Sequence, residues 1–273
     1  MTHLHHPPSM AVGLAIAAVV IAYMSGLRRL GNESDGIPAW RAAAFLLGVA
    51  TIGIAGSPLA SCDTESLTGH MVQHLLLMTI APPLVLLGEP MRVMTSRWPG
   101  IRQAMGRRPR WRTSPRAAIA CWLAGSSTLV LWHVPAAFAL ALRSPAWHVI
   151  EQVSFLAAGL LFWWPVIEPW PGRPLPSWSI VLYLFLATLP CDILSAFLVF
   201  SDRIAYPIYL SGSSSIAVLA DQQRAGAVMW TFVTLAYLVA GALVSARLLT
   251  FGGPPDRHAA ATPRPTVRAA RVT

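Results

Sequence analysis

The chain has 273 residues, 55% hydrophobic and only 11% charged, with a net charge of +9. A soluble globular domain carries about 25% charged residues, so composition excludes that class. All 20 basic residues are arginine, and their dispersal between apolar blocks excludes the continuous basic face that nucleic-acid binding needs.

In chain order, the apolar residues fall into seven blocks: 10–27, 40–60, 67–88, 117–139, 148–167, 179–199 and 226–249. Each is close to the roughly 20 residues that one helix needs to cross a hydrocarbon core. An open strand edge would leave backbone groups unpaired in lipid, so each block is expected to be helical. The expected fold is an all-α polytopic membrane bundle of seven transmembrane helices. It forms one helical domain over 1–251, with no internal repeat and no soluble domain.

Before the first block, MTHLHHPP holds His3, His5 and His6. Such a tract binds metal weakly or is a stray polar tail. Arg28 and Arg29 follow the block directly, an order that suits an N-out anchor better than a cleaved signal peptide. The connection 89–116 is rich in Arg and Pro and is expected at the lipid surface. Counted over alternate connections, 17 arginines fall on one side of the bundle. Only Arg143, Arg203 and Arg224 fall on the other. Positive loops stay cytoplasmic, so the expected topology is N-out and C-in. Residues 252–273, polar, basic and rich in Ala and Pro, read as a disordered cytoplasmic tail. Cys62, Cys121 and Cys191 have no C-x-x-C spacing and give no disulfide framework.

The third block carries His70, His74 and Met78 in HMVQHLLLM. Residues four apart share a helical face, so the three form a line of about 12 Å at 1.5 Å per residue. Two imidazoles four apart on one helix can bind one metal. They can equally be hydrogen-bonded across a helix interface. Polar groups are costly inside a span and usually face a site, which favours the metal reading. Pro82 and Pro83 then disturb the inner half of this helix.

His133 ends the fourth block beside Pro135, which deprives the Leu131 carbonyl of its usual donor. His148 opens the fifth, with Glu151 and Gln152 one turn on. Glu151 is either a metal ligand or an acceptor that orients His148, unless the two only cap a helix at the headgroups. Asp192 in LPCDILSAF is the only acid well inside a span. It must face the bundle or be protonated, and it binds a metal, relays protons or makes a structural hydrogen bond. Its neighbour Cys191 points to a different face and reads as packing. Asp221, Gln222 and Gln223 precede the seventh block. Asp221 is a ligand candidate or an N-cap for that helix. Met71, Met78 and Met229 lie in the same outer half. Thioethers favour copper(I), although methionine in an apolar chain is mostly packing. The stretch 206–219 is apolar enough for a short interfacial helix but too short to span.

HMVQHLLLMTIAPPLVLLGEP, WHVPAAFALALRSPAWHVIEQVSFLAAGLLFWWPVI and ADQQRAGAVMW occur in that order. They resemble the signature segments of the multi-spanning CtaG family of cytochrome c oxidase assembly factors, over about residues 40–250. The resemblance implies a non-enzymatic, multi-pass protein of the plasma membrane that works with cytochrome c oxidase subunits and delivers copper. It maps the family's histidines onto His70, His74, His133 and His148, and its acidic motif onto Asp221, Gln222 and Gln223. The full candidate ligand set is therefore His70, His74, His133, His148, Met78, Glu151, Asp192, Asp221 and Met229. Two other readings fit the same residue types. One is a seven-helix membrane zinc hydrolase with a carboxylate activating water. The other is a metal-free scaffold for oxidase subunit folding. Bound copper, zinc or no metal would separate the three.

Overall fold

The computed structural model describes residues 8–31, 36–57, 66–98, 100–101, 115–167, 178–211 and 213–251. Among them every regular element is helical. We number the helices α1 (Pro8–Leu30), α2 (Ala39–Ala55), α3 (Leu67–Leu75), α4 (Ala81–Leu87), α5 (Pro90–Met94), α6 (Pro115–Trp132), α7 (Pro135–Arg143), α8 (Pro145–Ile167), α9 (Trp178–Phe200) and α10 (Ser215–Phe251). A π turn, Leu76–Ile80, joins α3 to α4, and short 3₁₀ turns occupy Thr95–Arg97 and Pro207–Leu210. His3, His5, His6, Cys62 and the tail 252–273 lie outside the described residues.

Five segments are long and apolar enough to cross a membrane: Val12–Leu30, Leu67–Leu87, Pro145–Ile167, Trp178–Phe200 and Ser215–Thr250. The α6–α7 pair makes a sixth if its two arms count as one span. α2 is apolar but has only 17 residues, about 25 Å of helix. The surface is apolar in the manner of a lipid-facing bundle: Phe200, Leu249 and Ile193 are more than 70% exposed.

Two prolines, Pro82 and Pro135, shape the elements that carry His70, His74 and His133. Pro82 has no N–H to give the Met78 carbonyl. The helix widens there, with Ala81 N–H reaching back to the Leu76 carbonyl. Trp163 Nε1 on α8 supplies the missing donor to Met78, at 3.1 Å. Such re-satisfaction by a neighbouring helix is what makes proline tolerable inside a span. Pro135 acts differently. The Leu131 carbonyl that it deprives is taken by Val134 N–H at 3.2 Å, the chain breaks at His133–Val134, and α7 leaves at 75° to α6. The block 117–139 is thus two helices, interrupted beside Pro135 as its lost donor implied. The start of the last helix is earlier than expected: α10 opens at Ser215, not 226, and runs for 37 residues. Among the described residues, the 206–219 stretch therefore divides between a 3₁₀ turn and the first turn of α10.

Glycine lets α8 lie against the π turn. A Cβ on Gly159 would sit 2.7 Å from the Met78 carbonyl oxygen and 2.7 Å from Pro82 Cγ. The main core joins α3, α4 and α7 to α8, α9 and α10 through residues such as Met71, Phe138, Phe162, Leu184, Leu198 and Met229. A smaller core of Tyr23, Leu30, Phe45, Val49 and Val93 joins α1, α2 and α5. At that end Glu89, in a left-handed conformation with φ 50°, pairs with Arg41 and Arg92. Tyr23 donates to the Gly88 carbonyl at 2.7 Å. Glu89 follows His70 by 19 residues, about 28 Å along the helix. The arginine lock and the histidines thus occupy opposite ends of the bundle.

Candidate metal centre

Backbone placement brings the histidines together. α3 opens on Ser66, whose hydroxyl accepts from Gly69 N–H at 3.1 Å. Asp221 of α10 satisfies the other free donors of that turn. Its carboxylate accepts from Leu67 N–H at 2.6 Å and from the Thr68 hydroxyl at 2.7 Å. Negative charge is favoured at a helix N-terminus, so α10 anchors the turn that presents His70. Gln73 Nε2 donates to the Ala55 carbonyl at 2.5 Å, tying α3 to α2. On α8, Pro145 starts the helix and sets His148 and Glu151 three residues apart, on one face.

The result is a buried group at one end of the bundle. His70 and Glu151 are fully buried and His74 is 5% exposed. His70 Nε2 and His74 Nε2 each stand 3.5 Å from the same oxygen, Glu151 Oε1. Neither imidazole nitrogen of either ring makes a hydrogen bond, nor does either carboxylate oxygen. Ligand atoms of His70, His148 and Glu151 all lie within 4.8 Å of one another. The His70 and His74 rings are 4.3 Å apart, and those of His70 and His148 5.6 Å. Burying this many polar atoms without partners costs about 1–3 kcal/mol for each group. Around one tetrahedral ion with bonds of 2.0–2.1 Å, ligand atoms stand about 3.3 Å apart. At 3.5 Å the two imidazoles make buried ion-pair contacts with Glu151, a spacing close to that of neighbouring ligands on one ion. Gln152 Nε2 reaches His148 Nε2 at 3.3 Å, giving that ring an amide partner on its own helix.

His133 stands one ring further, 6.4 Å from His74. The break before Pro135 places it at the end of α6. Tyr206 holds it from outside the spans, its hydroxyl donating to the His133 carbonyl at 3.0 Å. Burial pushes that phenol well above its ordinary pKa, so it remains a donor. His133 Nδ1 lies 2.7 Å from the Leu129 carbonyl. A carbonyl can only accept, so Nδ1 carries the proton and Nε2 of the neutral ring has a lone pair. That lone pair faces Met71 Sδ at 3.2 Å.

The other candidates divide. Met78 and Met229 do not join the group but line a cavity next to it, together with His74 and His133. Asp221 is bound up in the first turn of α3, inside α10 rather than at its N-cap. Gln222 closes the loop before it, accepting from Ala205 N–H at 2.8 Å and donating to the Arg203 carbonyl at 3.1 Å. Gln223 is exposed. Asp192 lies on α9, with Oδ1 buried and without a hydrogen-bond partner among the described residues. Cys191 packs in the main core, as expected from its face, and with Met71, which lies outside the expected ligand set, it also lines the cavity. The signal for Met71 was present: positions 71, 74 and 78 share one helical face.

Comparison with known proteins agrees with this arrangement of segments. The chain is 27% identical over 280 residues to uncharacterized proteins of Mycobacterium bovis and Mycobacterium tuberculosis, covering 91% of this chain and 39% of each relative. It is 25% identical over 250 residues to an uncharacterized protein of Mycobacterium leprae, covering 84% of this chain and 37% of the relative. The chain thus spans about two fifths of the length of the curated relatives it matches. No solved structure matches it. The family model for the cytochrome c oxidase caa3 assembly factor matches residues 21–250, from the second half of α1 to the end of α10 and across every histidine of the buried group. The chain belongs to the Caa3_CtaG family.

Proposed function

We propose that this protein is a membrane assembly factor for haem–copper cytochrome c oxidase, that it binds copper through His70, His148 and Glu151 with His74 beside them, and that it passes the metal to an oxidase subunit. The observation that carries the reading is the convergence of two unbonded Nε2 atoms on one Glu151 oxygen at 3.5 Å, with all three side chains buried. Imidazole suits copper among few metals, and a helix-borne group can release it through small shifts of α3 against α8. The arginine bias and the separation of the two ends support an outer-face location in the plasma membrane, with seven crossings, N-out and C-in, counting α2 and the α6–α7 pair as one each. The His₂Glu composition also occurs in zinc hydrolases. The cavity beside the group is about 30 Å³, room for an ion or a water.

The test is metal content of the detergent-purified chain. Bound copper is expected, and a His70→Ala, His74→Ala double variant should lose the equivalent held by the imidazole–carboxylate group. Zinc in place of copper would favour the hydrolase, and no metal in either protein would leave the scaffold.

A further inference from the structure

The water-sized cavity has a wall chemistry unlike that of the His70–His148–Glu151 group. Met71, Met78, Met229 and Cys191 bring four sulfur atoms to it, and His74 and His133 bring imidazoles. The π turn puts Met78 there, α10 supplies Met229, and α9 supplies Cys191. Every one of these side chains is at least nine-tenths buried, and neither ring nitrogen of His74 has a hydrogen-bond partner.

The contact between His133 Nε2 and Met71 Sδ is the sharper observation. With Nδ1 donating to Leu129, the two atoms facing each other at 3.2 Å are both lone-pair holders. Neither can donate to the other in the neutral ring. A cation between or beside them would bind both. Imidazole nitrogen with thioether sulfur is the donor set that selects soft copper(I), while imidazole with carboxylate suits harder divalent ions.

We propose that this cavity is a second metal position, separate from the histidine–glutamate group, and that it takes copper(I) on Met71, Met78, Met229 and His133. The proposal rests on the reading of the protein as a copper carrier and adds to it that the metal has two stations. His74 stands at the junction, 3.5 Å from Glu151 and in the cavity wall. A path of soft ligands leading inward from an exchangeable outer group gives a carrier a holding place for the reduced ion.

Two probes separate the stations. Silver(I) stands in for copper(I) and does not change oxidation state; cobalt(II) reports nitrogen and oxygen ligands through its visible absorption. Full-length protein in detergent, without thiol reagents, is titrated with each. A Met71→Leu, Met78→Leu, Met229→Leu variant keeps side-chain volume. It is expected to lose at least tenfold in silver(I) affinity with cobalt(II) binding unchanged. A His70→Ala, His148→Ala variant is expected to do the reverse. Unchanged silver(I) binding in the methionine variant overturns the proposal, as does parallel loss of both metals in both variants. Should the methionine variant fail to fold, X-ray absorption of copper(I)-loaded native protein decides: sulfur neighbours are expected, and nitrogen and oxygen neighbours alone overturn it. Silver(I) bound by the native protein without cobalt(II) would sink the histidine–glutamate station while sparing this one. Neither metal bound would sink both.

Discussion

At the scale of single residues, the chemistry is set by which polar atoms are left without partners. His74 lies at the meeting point of the two donor sets, and we expect His74→Ala to abolish assembly of active oxidase while the protein remains inserted and abundant. Oxidase activity in membranes, measured at low and high copper, checks this. Partial rescue by added copper is expected from mass action on a weakened carrier; full activity without rescue would remove His74 from the mechanism. Asp221 works at one remove, by holding the first turn of α3. Replacing it with Ala removes acceptors from Leu67 N–H and the Thr68 hydroxyl, a loss of the size of a helix cap, about 1–2 kcal/mol. Asp221→Asn keeps an acceptor and should recover most of that stability. Thermal unfolding in detergent separates the two variants, and equal melting of Ala and Asn forms would show that the cap contributes little.

At the scale of elements, prolines and their compensations decide the shape. Trp163→Phe leaves the Met78 carbonyl buried without its donor and is expected to cost about 1–3 kcal/mol. The same change should weaken silver(I) binding, because the π turn that carries Met78 loses its tie to α8. Gly159→Ala places a methyl 2.7 Å from backbone oxygen, so α8 must move away from the π turn. We expect a lower melting temperature and a lower yield of folded protein for both variants. A Gly159→Ala protein with native stability would show that α8 shifts freely there. Hydropathy made the apolar blocks legible because period and length survive any packing. Pro135 marked an interruption in 117–139, but hydropathy could not give the 75° angle there. It also could not show that α10 starts at Ser215, where the Ser214 hydroxyl accepts from Ala217 N–H, because an average over apolar residues does not see local hydrogen bonds.

For the whole molecule, the open quantity is sidedness and the number of crossings. Five long apolar helices are evident, and α2 and the α6–α7 pair bring the proposed count to seven. A reporter fused after Thr273 should be active only on the cytoplasmic side. One that is active on the periplasmic side would reverse the arginine argument and put the histidine end inside.

The amino-acid sequence by itself determined that this chain is an all-helical membrane protein, because too few charges and blocks of about 20 apolar residues leave no other stable backbone in lipid. It also marked His70, His74, His133, His148 and Glu151, because polarity inside a span is costly enough to be meaningful. Spacing along one helix could pair His70 with His74 but could not decide whether Asp192, inside a span, or Asp221, read as preceding one, joins them. The tertiary structure made that division. Packing of α8 against α3 brought Glu151 to the two histidines, while α10 turned Asp221 onto the backbone of α3. The π turn and α9 gathered Met78 and Cys191 around a cavity that no spacing rule describes. These are contacts between residues as many as 154 positions apart, and they depend on helix rotation and register, which local hydropathy does not encode.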